Sequence, residues 1–346
     1  GFRESVRESD RHPDGSFLRG LTPNMRTKLT FDPSVDVALL FQKIKQLEDE
    51  DPLLMVTSDL QSKEITIGYM GAIQLEVLKM LILERFGFDV DFESPQVVYK
   101  ETLIGETVYG CGHFEPLRHY AEVHVTLEPI EAGSGIVFES VCHAEDLPIN
   151  YVSQVKHSVL DGHLAGVLTG SELTDVRVTL VTGRAHVEHT AQGDFYEATI
   201  RAVRHGLEQG SCVLLEPLYR VVIAVPNGLV GRIMMDLSGM HGTHLMAESK
   251  GEFSLISGTV PIACFGDYAT TLASLSSGKG RLRLQSAGFA PCHNQEEVVA
   301  RKGYQRERDV HFSSSSVFCA KGKGYTVPWQ EAQAHMHCPL GEKYKR

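Results

Sequence analysis

Hydrophobic positions along the chain change period several times, and each change marks an element. Val35, Leu39, Leu40, Ile44 and Leu47 recur at helical spacing, residues 64–69 alternate as a strand does, and Ile73, Val77, Leu78, Leu81 and Ile82 build a second apolar helical face. Gly87 is placed to stop that helix. From Phe31 to about Tyr99 the order reads strand, helix, strand, strand, helix, strand. That is the split β-α-β arrangement of a ferredoxin-like domain, with two helices on one face of an antiparallel sheet. Residues 1–30, broken by Pro13, Gly15, Gly20 and Pro23, show no sustained period and read as the end of a preceding domain or a linker.

A second stretch runs from about Leu103 to Leu214. Residues 120–130 and 136–141 are strand-like, 150–168 helix-like, and 175–181 alternate again. Asp194 is positioned to cap a helix through about Gln209, which Gly210 ends. The third stretch holds a strand over 219–225, a helix over about 229–237, a turn at 238–242 and a second helix over about 265–272. Beyond about Ala290 apolar periodicity fades, and Ser313 to Ser316 form a small low-complexity run.

Composition narrows the class. The 346 residues suffice for two or three domains, and 42% hydrophobic with 22% charged residues is a globular balance. No apolar run approaches the roughly 20 residues of a membrane span, so no membrane partner and a cytoplasmic location are expected. Seven cysteines, an odd number without repeating spacing, predict reduced thiols rather than a disulfide framework. The net charge of −11 counts against nucleic-acid binding overall, although basic residues cluster late, from Lys279, Arg281 and Arg283 onward.

Candidate chemistry is sparse. His335-Met336-His337-Cys338 and Cys111-Gly112-His113 gather possible metal ligands, but neither has a second pair at the zinc-finger offset, so no metal site is expected. Gly133-Ser134-Gly135 lacks the Gly-x-Ser-x-Gly elbow of a nucleophilic serine and reads as a tight hairpin whose glycines take positive φ. Ser277-Gly278-Lys279-Gly280 lacks the upstream glycine of a phosphate loop, and no Gly-x-x-x-x-Gly-Lys-Ser/Thr occurs in these residues. No catalytic residue is therefore assigned. Lys279, Arg281 and Arg283 stand at period two, on one face of a strand, as either a ridge for a phosphate backbone or a solvated edge.

Three segments carry a family resemblance. Asp49-Glu50-Asp51-Pro52, the run 65–77 (Ile-Thr-Ile-Gly-Tyr-Met-Gly-Ala-Ile-Gln-Leu-Glu-Val) and the run 94–102 (Ser-Pro-Gln-Val-Val-Tyr-Lys-Glu-Thr) resemble the third domain of elongation factor G and of the tetracycline-resistance ribosomal protection proteins. Gly166-Val167-Leu168-Thr169-Gly170, Asp175-Val176 and Gly183 resemble the fourth domain. Leu214-Leu215-Glu216-Pro217-Leu218 and Gly266-Asp267-Tyr268-Ala269-Thr270-Thr271-Leu272 resemble the fifth.

The resemblance implies an α+β multidomain fold, with two ferredoxin-like domains (31–102 and 214–290) flanking a ribosomal protein S5 domain 2-like domain (103–213). Residues 1–30 would then be the remnant of a β-barrel domain or a linker, and 291–346 a C-terminal helix, near 295–301, with a tail. It further implies a monomer that binds the bacterial ribosome near the A site. GTP and Mg2+ would belong to a GTPase domain whose phosphate loop is not among these residues, so this chain should hold no cofactor and should have no catalytic activity alone.

The segment Arg184-Ala185-His186-Val187-Glu188-His189-Thr190 aligns with the tip loop that elongation factor G directs at the decoding region. His186 matches the family's histidine there, and Glu188 or His189 stands at its acid. Arginine and histidine on a projecting loop suit stacking on, and hydrogen bonding to, unpaired bases. Protection proteins carry Tyr-Ser-Pro-Val instead, whereas the stretch 131–140, with Gly133, Ser134 and Gly135, resembles theirs. Asp51-Pro52-Leu53-Leu54 leans the same way, while the histidine tip and the third stretch look more like elongation factor G; a protection-type factor is favoured, with an elongation-type factor and a GTPase-free ribosome-binding regulator as alternatives.

Overall fold

The computed structural model describes residues 23–51, 54–59, 63–69 and 72–339. The outer parts of the expected linker (1–22) and tail (340–346), and Pro52, Met70 and Gly71 of the resemblance segments, lie outside the described residues. The chain divides into two compact units, one formed by residues up to Val98 with Tyr219–Ala287, the other by Tyr99–Leu218 with residues from Gly288 onward.

The first unit opens with β1 (Met25–Phe31), α1 (Val37–Glu50), β2 (Met55–Asp59), β3 (Glu64–Tyr69), α2 (Ala72–Phe86), β4 (Val90–Phe92) and the short β5 (Gln96–Val97). The sheet order β2-β3-β1-β4, antiparallel throughout, is that of a ferredoxin-like domain. Asp36 starts α1 by accepting the amides of Ala38 and Leu39. Leu40, Ile44 and Leu47 of α1 and Leu78 and Ile82 of α2 pack over Ile65 and Ile67, the expected apolar faces, while Leu39 and Val77 remain exposed. The boundary at residue 30 is corrected, since β1 is a central strand and lies almost wholly within 1–30. Its inward positions include buried Thr27, whose hydroxyl donates to the Glu93 carbonyl at 2.8 Å, so the apolar alternation that marks a strand is broken there.

The second unit begins with β6 (Lys100–Ile104), β7 (Val108–Phe114), β8 (Ala121–Pro129), β9 (Ile136–Ser140), α3 (Ile149–Asp161), β10 (Glu172–Leu173), β11 (Val176–Ala185) and α4 (Asp194–Gln209), followed by β12 (Ser211–Pro226). Helices α3 and α4 cover one face of a sheet in which β7, β8, β11 and β9 are successive neighbours. Gly110 and Gly112 of β7 permit this packing. A Cβ on Gly112 would lie 2.2 Å from the Ala198 carbonyl oxygen of α4, and one on Gly110 would lie 2.0 Å from that of Ala202.

Three sequence expectations change here. Helix α3 stops at Asp161, and apolar Leu164, Ala165 and Val167 are buried in a loop rather than a helix. That loop, the Gly166–Gly170 motif, wraps the buried Glu101 carboxylate, which accepts the amides of Leu168, Thr169 and Ser171 and the Thr169 hydroxyl. Asp194 is the first residue of α4 rather than its cap, because its buried side chain turns back to other partners. Finally, β8 and β9 are not a hairpin: both pair with β11, so residues 130–135 cross over its start.

The first unit resumes with the later part of β12, then α5 (Val230–Gly239), β13 (Thr243–Lys250), β14 (Phe253–Pro261), α6 (Ile262–Phe265), α7 (Tyr268–Leu275) and β15 (Arg281–Pro291). The order β15-β12-β14-β13 repeats the ferredoxin-like arrangement. In the second unit, α8 (Gln295–Lys302) is the helix expected near 295–301, and its Gln295 accepts the Leu214 amide. The tail holds more than foreseen: β16 (Ser316–Ala320) and β17 (Lys323–Val327) form a hairpin, β16 joins β7, and α9 (Trp329–His335) follows. No helix among the described residues is long and apolar enough to cross a membrane.

Two expected outcomes follow from α4. Gly112→Ala forces a methyl into the α4 backbone and should cost about 2–3 kcal/mol of unfolding free energy by urea titration. The second concerns His205. Burial pushes its pKa down to about 4, and its Nδ1 already accepts N–H groups from Cys111 and Gln209. The unfolded chain binds this proton more readily, so stability is retained above pH 6.5 and falls as pH drops from about 6.5 to about 4, by up to roughly 3 kcal/mol. His205→Gln should flatten that slope in pH-dependent denaturation.

Candidate functional site

The register of β8 and β11 determines where the predicted residues lie. Ala185 pairs with Ala121 at one end and Val176 with Pro129 at the other. Eight residues at about 3.4 Å each separate the ends by roughly 27 Å. Arg184, His186, Glu188 and His189 gather at the first end, whereas Gly133, Ser134 and Gly135 belong to the second. The structure therefore does not bring those two sets together.

At the first end, β11 delivers the chain into a compact exposed turn. The His186 carbonyl accepts the amides of His189 and Thr190, and the His186 amide donates to the Thr190 hydroxyl at 2.8 Å. That hydroxyl donates in turn to the Tyr120 carbonyl at 2.7 Å, pinning the turn to the start of β8. The imidazoles of His186 and His189 stack, with centroids 4.5 Å apart and planes 19° apart. His186 Nδ1 accepts the Glu188 amide at 3.2 Å, so in the neutral ring Nε2 carries the proton. Val187 at the apex is completely exposed. Nothing here pairs a nucleophile with a base; the turn offers flat aromatic surface, a ring N–H and the exposed guanidinium of Arg184.

The base of the turn is locked by Asp194, read from the sequence only as a helix cap, and by partners the sequence did not single out. Asp194, 2% exposed, accepts from His119 Nδ1 at 2.7 Å and from the amides of Ala191 and Tyr120. Arg184 shares a cleft with Glu145, Asp146, His337 and Cys338, so the β9–α3 loop and the end of the tail join this end of the domain. Burial, then the Glu122 carboxylate, pushes the Tyr120 hydroxyl pKa upward. Only the motif His335–Cys338 hinted at the tail's involvement, and its partners are distant in sequence.

At the opposite end the glycine loop has a structural explanation. Gly133 and Gly135 take φ of +86° and +67°, as expected, and both amides donate to buried Asp175 at 3.0 Å. The chain crosses over β11 there because this carboxylate gathers it. In the first unit, Lys279 is corrected: it lies in the turn before β15, so only Arg281 and Arg283 are on the strand. Leu282 between them packs on the local core, leaving both arginines on the exposed side of an edge strand.

An α+β chain in which a mixed domain with a polar turn lies between two ferredoxin-like domains in sequence has the domain order of a multidomain translation factor. Family models agree along its length: Elongation factor G, domain III over residues 26–94, domain IV over 95–211, and the Elongation factor G C-terminus over 213–298. The chain belongs to the elongation factor G family and carries these three domains. It is 28% identical over 296 residues to an elongation factor G-like protein of Thermotoga maritima, covering 84% of this chain and 42% of that protein. Elongation factor G 2 of Streptomyces coelicolor is 31% identical over 273 residues, covering 74% and 39%. A solved protein of Thermus thermophilus superposes with a TM-score of 0.63 at 25% identity, over 88% of this chain and 46% of its own. The chain thus spans about two fifths of the length of the curated relatives it matches.

The Thr190 hydroxyl serves two bonds that hold the turn closed. Thr190→Val should therefore speed amide exchange at His186 roughly fivefold, as expected for about 1 kcal/mol of lost local hydrogen bonding, with little change in global stability.

Proposed function

We propose that this chain is the ribosome-contacting part of an elongation factor G-like translational GTPase, and that the turn at 184–190 is the element that enters the A-site region. The carrying observation is the turn itself: two stacked imidazoles and an arginine on a projection whose base is fixed by Thr190, Tyr120 and Asp194. Such a tip engages unpaired bases by stacking and hydrogen bonding without building a pocket. The work is mechanical, with GTP hydrolysis taking place in a domain that carries the phosphate loop. No GTP or Mg2+ site is assigned to these residues.

The tetracycline-protection reading rested on the stretch 131–140 and on Asp51-Pro52-Leu53-Leu54, of which Pro52 and Leu53 lie outside the described residues. Asp175 accounts for the glycines of 131–140, and that loop is remote from the tip, which weakens the support this stretch lends to drug displacement. The histidine at 186 and the elongation factor names of the matched relatives support the elongation-type reading instead.

Co-sedimentation of the chain with bacterial 70S ribosomes tests this reading. Binding is expected to fall about tenfold in His186→Ala, the scale of one lost stacking contact, while its thermal stability stays within about 0.5 kcal/mol because the residue is exposed. Absence of pelleting, or pelleting that His186→Ala and His189→Ala together leave unchanged, would refute the proposed contact.

A further inference from the structure

The face of β7 and β8 turned away from α4 carries ionisable side chains rather than apolar ones, and the tail buries them. His113 lies opposite Glu122 in the strand register, and His124 follows on the same side of β8. Glu122, His124 and Cys338 are all buried, and each presents one donor atom, a carboxylate oxygen, a ring nitrogen and a sulfur, within 4.8 Å of the others. The two motifs left without partners by sequence spacing, Cys111–His113 and His335–Cys338, thus meet across a strand pair and the end of the chain.

From this geometry we infer a zinc(II) site formed by Glu122, His124 and Cys338, with a fourth position left for water. The donor set matches this metal's preference for imidazole, thiolate and carboxylate. Each imidazole also has a partner on its other nitrogen: the Tyr109 hydroxyl bonds His124 Nδ1, and Glu115 lies 3.0 Å from His113 Nε2. Such partners fix ring orientation in metal sites. One carboxylate and one thiolate balance the dication, so the buried assembly is neutral once the Cys338 thiol has released its proton to solvent.

The polypeptide already brings the ligands together. The amides of His337 and Cys338 donate to Glu122 at 2.9 and 2.7 Å, and Phe318 stacks on His113 with ring centroids 4.3 Å apart. The ion would clamp the tail onto β8 beside the cleft that Arg184 lines. The inference does not depend on the ribosomal reading.

The chain, stripped by chelator and kept reduced, is titrated with zinc alone and in parallel with cobalt(II) followed by absorption. One ion per chain is expected, with a thiolate-to-cobalt charge-transfer band and a zinc-dependent rise in Tm. Cys338→Ser should remove the band and the Tm rise and weaken zinc binding by at least about 100-fold, beyond the usual loss of an outer partner. Cys142→Ser, outside the cluster, should behave as the parent chain. Matching Tm values of Cys338→Ser and the metal-free parent would show that the variant still folds. No stoichiometric binding, or binding and a charge-transfer band that survive Cys338→Ser, would overturn the site, leaving hydrogen bonds alone to hold the tail.

Discussion

The close approach of α4 to β7 is the constraint on which the mixed domain depends. Gly110 and Gly112 leave no side chain between helix and strand, so the helix backbone lies directly on the sheet. With its axis fixed, the helix carries three buried polar side chains to partners on other segments. Asp194 at its start meets His119 and the Tyr120 amide, Arg204 reaches the carbonyls of Ala165 and Gly166, and His205 receives the Cys111 amide. Each bond joins α4 to a segment far away in sequence. The projecting turn inherits its rigidity from the first of them, because Asp194 also holds the Ala191 amide just beyond Thr190.

The other face of the same strands works by charge rather than by apolar packing. Burial alone would raise the pKa of the Glu122 carboxyl, but hydrogen bonds from His113 and His124 outweigh that and hold it well below the usual carboxylate range. A carboxylate so placed is tolerable only when its oxygens are saturated, and in the metal-free chain two imidazoles and two tail amides do so, the bond from His124 being the one that the proposed ion would replace. Removing the tail would strip two donors from a buried anion. The docking of residues 316–338 is therefore coupled to the ionisation of one strand residue, and β8 is buried on both faces although only one is apolar.

Legibility in the sequence follows the range of the interactions. The two ferredoxin-like domains were readable because their helices and strands bury one apolar face each, at periods set by local geometry. Strand β7 was not, since Val-Tyr-Gly-Cys-Gly-His-Phe trades strand-forming residues for the glycines that α4 requires. The loop after α3 mimicked a helix because Leu164, Ala165 and Val167 are buried for a tertiary reason, the wrapping of Glu101. The turn at 184–190 was legible as a polar break between strand and helix. Its clamps were not: Thr190 and Tyr120 are 70 positions apart, and Glu122 and Cys338 are 216 apart. A search for ligand pairs at fixed offsets along the chain cannot find donors that a strand register and a tail bring together.

The charge balance limits how the proposed tip would engage RNA. With a formal charge of −11, the chain as a whole is repelled by a phosphate-rich surface at long range. Affinity must therefore come from contacts made within a few ångströms, where stacking and directed hydrogen bonds act and net charge matters little. A floppy loop would spend that energy on its own ordering. The turn avoids this cost because its closure is complete before any partner arrives: His186, Thr190 and Tyr120 form one chain of bonds, and the His186–His189 stack fixes the ring planes. The buried network beneath the turn and the exposed rings upon it are thus physically linked, and interior polar bonds preserve the shape that the proposed short-range recognition would need.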